Sequence, residues 1–174
     1  MTTRAQQVVR FLDLVSCVVI LTLAALWISD AFGREPISGP VLAVHDGDTL
    51  RIGMHTVRLA NIDAPELAQD GGKQARAALV AICAGQWARA TVVDVDRYRR
   101  RVALVTCGQT AVNRVMVAAG YAWVFHRYNR DTALPGIEAR AREARVGLWA
   151  ADDPVPPWVW RASHRAAGVL GMRG

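Results

Sequence analysis

The chain has 174 residues, room for one domain with a proper core plus a short extra piece. A formal net charge of +6, with 21 basic residues of which Lys73 is the single lysine, favours polyanionic partners such as nucleic acid or anionic lipid. Three cysteines exclude a disulfide-built scaffold, and no internal repeat supports a solenoid.

Residues 1–32 read as the extra piece. The run "LVSCVVILTLAALWIS" carries no charge and follows Arg4 and Arg10. Sixteen helical residues reach about 24 Å, short of a hydrocarbon core of roughly 30 Å. That length fits a signal-peptide apolar region or a short signal anchor, and Ser29-Asp30-Ala31 would permit cleavage. The expectation is export: anchored in the inner membrane with the domain outside the cytoplasm, or secreted or periplasmic after cleavage. Arg4 and Arg10 cancel Asp13 and Asp30, so the remainder carries the whole +6.

Residues 33–40, "GREPISGP", read as a linker, and residues 41–150 as the domain. "VLAVHDGDTLRIG" and "HTVRLANI" suggest two or three short strands joined by glycine-containing turns. "GKQARAALVAICA" predicts a helix with an apolar stripe at Ala75, Leu79 and Ile82, closed by Gly85. "WARATVVDV" and "RVALVTC" are strand-like and flank the basic turn "DRYRR". "AVNRVMVAAG" predicts a short helix ending at Gly120, "YAWVF" a strand, and "LPGIEARAREARVGLW" an amphipathic helix from Pro135 to Gly147. Residues 151–174 form a Pro- and Trp-rich tail. Its Trp158 and Trp160, near Arg161 and Arg165, would pack on the domain or sit at a lipid interface. Short strands interleaved with helices, without βαβ spacing, indicate an α+β, mainly β fold: an OB-like five-stranded barrel with three packed helices. Cys83 and Cys107 would either pair, given an oxidising compartment, or be buried thiols.

The segment "HDGDTLRIGMHTVRLANIDAPE", residues 45–66, concentrates the chemistry. Asp46 and Asp48 flank Gly47, and in extended backbone residues two apart face the same way, so both can approach one cation. Hard cations take carboxylate and carbonyl oxygens, and Asp63 could complete such a site; otherwise Asp-Gly-Asp is a solvated turn. Glu66 follows Pro65, and a rigid carboxylate beside a metal can deprotonate a water; at a helix start it would merely complement the helix dipole. Arg58 lies in a strand pattern, and its planar fork donates in pairs to phosphate oxygens. An arginine of Asp96–Arg101 would add a second phosphate contact, with Tyr98 and Tyr128 as stacking or phosphate-contacting groups.

In this order, D-G-D-T, R-x-x-x-x-D-x-P-E, D-R-Y-x-R, V-N, A-G-Y-A and a closing G-L-W resemble the staphylococcal nuclease (thermonuclease) family over residues 41–150. The resemblance implies an OB-like barrel with three helices and a metal-dependent phosphodiesterase acting on DNA or RNA, with Ca²⁺ as the ion or Mn²⁺ or Mg²⁺ in its place. It implies Asp48 and Asp63 as metal carboxylates, the carbonyl of Ala64 as a further ligand and Asp46 in support. Arg58 and Arg100 would neutralise the phosphate, Glu66 would activate water, Tyr128 would fall in a nucleotide pocket, and products would carry 3′-phosphates. The catalytic domain would be monomeric. Three positions depart from the pattern: Ala64 stands where Thr is common, Arg99 where Gly is common, and His126 where a second tyrosine is expected. The alternative is a non-catalytic, membrane-tethered OB-type module that binds nucleic acid.

Overall fold

The computed structural model describes residues 15–23 and 35–171, with side chains as far as Arg165. Residues 15–23 are helical. The rest of the expected N-terminal apolar helix, including Ser29-Asp30-Ala31, lies outside the described residues. Among the described residues no helix is long and apolar enough to cross a membrane. Residues 1–35 and 36–174 are separate compact units.

Among the described residues the second unit has eight strands and four α-helices: β1 Ile37–Val44, β2 Thr49–Ile52, β3 His55–Leu59, β4 Ile62–Asp63, α1 Gly72–Cys83, β5 Trp87–Val95, β6 Arg101–Cys107, β7 Thr110–Ala111, α2 Val112–Ala118, β8 Trp123–Val124, α3 Leu134–Glu143 and α4 Pro157–Gly171. Five strands close a barrel in the order β3-β2-β1-β5-β6, with β6 returning to β3. Closure rests on two features. The bulge between Val41 and Ala43 bends β1, so its first half pairs with β5 (Ile37 opposite Ala90) and its second with β2 (Val44 opposite Leu50). The β3–β6 pair is parallel, with Val57, Arg58 and Leu59 opposite Arg101, Val102 and Ala103. Closure removes the exposed edges that an open sheet of this size would carry.

Period-2 alternation puts Ile37, Val41, Leu50, Ile52, Val57 and Leu59 inside, where they meet Leu79 of α1 and Met116 and Val117 of α2. The buried side of α1 runs Ala75, Leu79, Cys83, so Cys83 rather than Ile82 continues the expected stripe. Cys83 is bonded to Cys107 of β6, which ties α1 to the barrel wall. A smaller cluster gathers Trp123, Ala141 and Trp149, with Leu148 and Trp158 packed against it.

Several boundaries differ from expectation. β1 starts at Ile37, inside the segment read as a linker, because its alternating residues pair with β5. The amphipathic helix stops at Glu143, and Gly147–Ala150 forms a separate 3₁₀ turn whose Leu148 N–H donates to the Gly120 carbonyl. The tail is a fourth helix, α4, belonging to the same compact unit as the barrel. Trp158 lies parallel to Phe125 (centroids 5.7 Å apart, planes at 11°) and edge-on to Trp123, so it packs on the domain.

The Cys83–Cys107 bridge closes a loop with a sequence separation of 24 residues, for which chain-entropy arguments give about 3 kcal/mol of stabilisation. Replacing both cysteines by alanine should lower the unfolding free energy by about that amount, read as a lower denaturant midpoint. An unchanged midpoint would show that the bridge does not hold the folded protein in solution.

Candidate active site

The site begins with a close approach. Asp46 turns the backbone by accepting the Asp48 N–H at 3.0 Å, and Gly47 passes so near its neighbours that an added Cβ would lie 2.6 Å from that of Ala75 and 2.7 Å from that of Ala64. Only glycine allows this contact, which brings the Asp48 segment onto the Ala64 segment. The Ala64 N–H then donates to Asp48 Oδ2 at 3.1 Å, and the Thr49 hydroxyl donates to Asp48 Oδ1 at 2.9 Å.

Asp63 comes from the other direction. It sits in β4, which pairs antiparallel with β8 (Asp63 opposite Trp123), and its side chain is fully buried. Arg58, held on β3 by the parallel closure, reaches both acids. Its Nη1 is 3.1 Å from Asp48 Oδ1 and its Nη2 2.8 Å from Asp63 Oδ1. Burial works against the Arg58 charge, but Asp48 and Asp63 together outweigh it and raise its pKa. For Asp48 the balance is reversed. Burial is the largest influence, Asp46 and Asp63 add to it, and Arg58 and the Ala64 N–H only partly oppose it, so its pKa is pushed up to about 7.

Asp46, Asp48, Arg58, Ala64 and Glu66 line one cleft of about 1250 Å³, together with Tyr98, Arg100 and Tyr128. Asp63 lies behind its wall. Asp96 shapes the basic turn: one oxygen accepts from the backbones of Tyr98 and Arg100, and the other from Arg100 Nε at 2.7 Å. Burial opposes ionisation of Asp96, but these bonds prevail and lower its pKa. Arg99 takes the left-handed conformation (φ 63°), so the turn keeps a glycine-like backbone despite the arginine. Tyr98 is exposed beneath the Arg97 and Arg100 guanidiniums, and Tyr128 is exposed against Phe125. Asn113, the Asn of V-N, is structural: it bonds the backbones of Ala60, Ala103 and Val105. His126 faces Glu138, whose carboxylate accepts the Val124 N–H.

Sequence reasoning missed Arg161. It reaches from α4 to Asp63 (Nη1 to Oδ1 3.2 Å, Nη2 to Oδ2 2.5 Å) and to Glu66 Oε1 at 2.8 Å. The sequence signal available was "PWVWR", an aromatic-arginine helix start after prolines, which carries no indication of where the arginine lands.

The donors are all hard oxygens, the kind that suits Ca²⁺ or a similar cation. Four carboxylates (Asp46, Asp48, Asp63 and Glu66) gather beside two guanidiniums (Arg58 and Arg161), which pair with Asp48, Asp63 and Glu66. The high pKa of Asp48 comes first from burial, with Asp46 and Asp63 adding to it, and a divalent cation beside these acids would favour their ionised forms. Among the described residues no three His, Cys, Asp or Glu side chains converge as a ready-made cage.

A small OB-like barrel carrying a carboxylate-arginine cleft is the architecture of a phosphate-handling protein. Residues 56–151 match the family model described as staphylococcal nuclease homologue, and the chain belongs to that family. An Escherichia coli O157:H7 protein named "Uncharacterized endonuclease" is 42% identical over 134 residues, 74% of this chain and 86% of its own length. The Oryza sativa subsp. japonica "Probable staphylococcal-like nuclease CAN2" is 36% identical over 113 residues, 65% of this chain and 31% of that protein. The Arabidopsis thaliana "Staphylococcal-like nuclease CAN1" is 38% identical over 109 residues, 63% of this chain and 34% of that protein.

Asp48 also makes stability pH-dependent. In the unfolded chain it releases its proton near 3.8, in the folded metal-free protein near 7, so between these values the folded state holds the extra proton. This contribution is complete below pH 3.8 and is lost as pH rises through 7. Relative to the wild type, Asp48→Asn in chelator should therefore gain in melting temperature as pH rises from 4 to 8. A difference that stays constant over that range would contradict the reading.

Proposed function

We propose that this chain is a nuclease that hydrolyses phosphodiester bonds of DNA or RNA, dependent on a divalent cation for which Ca²⁺ is the first choice. The observation carrying the reading is that Arg58, clasped by two buried carboxylates, opens onto the same cleft as Glu66 and Arg100. A cation held by Asp48, Asp63 and the Ala64 carbonyl would supply Lewis acidity towards a phosphoryl oxygen.

The chain's own residues do the rest. Arg58 has its fork pre-oriented by Asp48 and Asp63, so it donates to the phosphate without reorganising as charge grows in the transition state. Arg100, steered by Asp96, donates from across the cleft. Glu66 takes a proton from the attacking water as its oxygen bonds to phosphorus. The 5′-oxygen leaves and takes up a proton from water, giving the 3′-phosphate product that the resemblance implies. Tyr98 and Tyr128, both exposed on the cleft, offer faces on which unpaired bases can stack.

The test incubates the purified chain with single-stranded DNA and RNA in Ca²⁺ or in chelator. Cleavage should require the ion. Glu66→Ala and Arg100→Ala should each fall by roughly 10²-fold or more, as should Arg58→Lys, which keeps the charge but loses the fork. Binding without cleavage in any metal, weakening steeply with salt, would move the chain to the non-catalytic class.

We also propose that the protein is exported and tethered at a membrane. Two observations support this: the Cys83–Cys107 bond suits an oxidising compartment, and residues 15–23 form a helix whose Ile20, Leu21 and Leu23 are exposed. In fractionated cells the protein should resist alkaline extraction from membranes and be reachable by protease from outside the cytoplasm. Recovery in the cytosol would overturn the proposal.

A further inference from the structure

Arg161 occupies the ground that a cation would need. Asp63 is fully buried, and its two oxygens already accept three N–H bonds from two guanidiniums: Arg58 and Arg161 on Oδ1, and Arg161 on Oδ2. The same Arg161 holds Glu66 Oε1, the only partner found for that carboxylate among the described side chains. A divalent cation on Asp63 would meet a guanidinium of like sign a few ångströms away. At such distances like charges repel strongly in a partly dry cleft, so one of the two yields.

Arg58 is fixed, being clasped by Asp48 and Asp63 together with its side chain 16% exposed. Arg161 is the freer one. Its side chain is 29% exposed and hangs from a helix that is docked by other means: Trp158 on Phe125 and Trp123, and Gln69 Nε2 donating to the Val155 carbonyl at 2.6 Å. The helix can therefore stay in place while the arginine rotates away.

We propose that Arg161 is a built-in counter-cation of the active site, which a divalent ion must displace from Asp63 and whose departure frees Glu66. This rests on the metal-dependent reading above. In the metal-free protein Arg161 neutralises the acids and keeps Glu66 engaged. Because an arginine is charged at every accessible pH, the competition is with the ion and not with protons. The helix α4 thereby sets how much cation the site requires before Glu66 is released.

The test is calorimetric titration of Ca²⁺ into the full chain without substrate. Arg161→Gln, which removes the charge, should bind Ca²⁺ at least tenfold more tightly than the wild type. Arg161→Lys, which keeps the charge, should stay close to the wild type. Trp158→Ala loosens the helix without touching the charge and should shift affinity in the same direction as Arg161→Gln, by less. It also decides the matter should Arg161→Gln not fold. Equal or weaker binding by a folded Arg161→Gln would overturn this inference and leave the metal site standing. No binding by any of the four proteins would overturn the metal-dependent reading itself.

Discussion

Two buried carboxylates clasping one arginine are the constraint on which the rest of this structure depends. A carboxylate taken out of water is costly unless paired and hydrogen-bonded, and Asp63 is wholly buried with Asp48 nearly so. Their neutralisation requires Arg58 at one place, and that place exists only because the barrel closes through the parallel β3–β6 pair. The same closure brings the basic turn after β5 to the rim beside Arg58. Asn113 supports the junction by bonding the backbones of Ala60, Ala103 and Val105, so the seam of the barrel and the floor of the cleft are one construction.

The clasp is deliberately incomplete in charge. One guanidinium only partly offsets the burial of Asp48 and the neighbouring charges of Asp46 and Asp63, and the pKa of Asp48 rises to about 7. Such a site is destabilising as a structural element and useful as a binding one. Its side chains hold one another in place, and the cation proposed for it would recover the free energy lost to crowded negative charge. The packing around it is correspondingly tight, with Gly47 pressed against Ala64 and Ala75 so that Asp48 has little freedom to relax.

The fourth helix changes what kind of cleft this is. The barrel alone would present an open acidic floor between arginine-rich rims. With α4 docked, Trp158 stacks on Phe125 and Arg161 reaches the acids, so the cleft gains a wall on one side and a second internal counter-charge. That wall is attached by aromatic contacts, one Gln69–Val155 hydrogen bond and the Arg161 ion pairs, whereas α1 is covalently tied to β6.

The sequence by itself determined the barrel class and most of its strands along the chain, and it singled out Asp48, Arg58, Asp63 and Glu66 as candidate site residues. Alternation and turn residues are local properties, and Asp48, Arg58, Asp63 and Glu66 lie within one short segment whose spacing survives in the linear text. The basic turn from Asp96 to Arg101 was legible for the same reason, but that Arg99 keeps the left-handed backbone of the glycine common there is a finding of the structure. What only the tertiary structure decided is long-range. β1 starts at Ile37 because Trp87–Ala90 pair with it, Cys83 meets Cys107 because α1 ends over β6, and the tail becomes a helix because Trp158 finds Phe125 and Trp123. Arg161 is the extreme case: it stands 98 residues from Asp63 along the chain and 2.5 Å from it in space. No periodicity or motif encodes such a contact, because it depends on how a helix, a loop and a barrel are packed together.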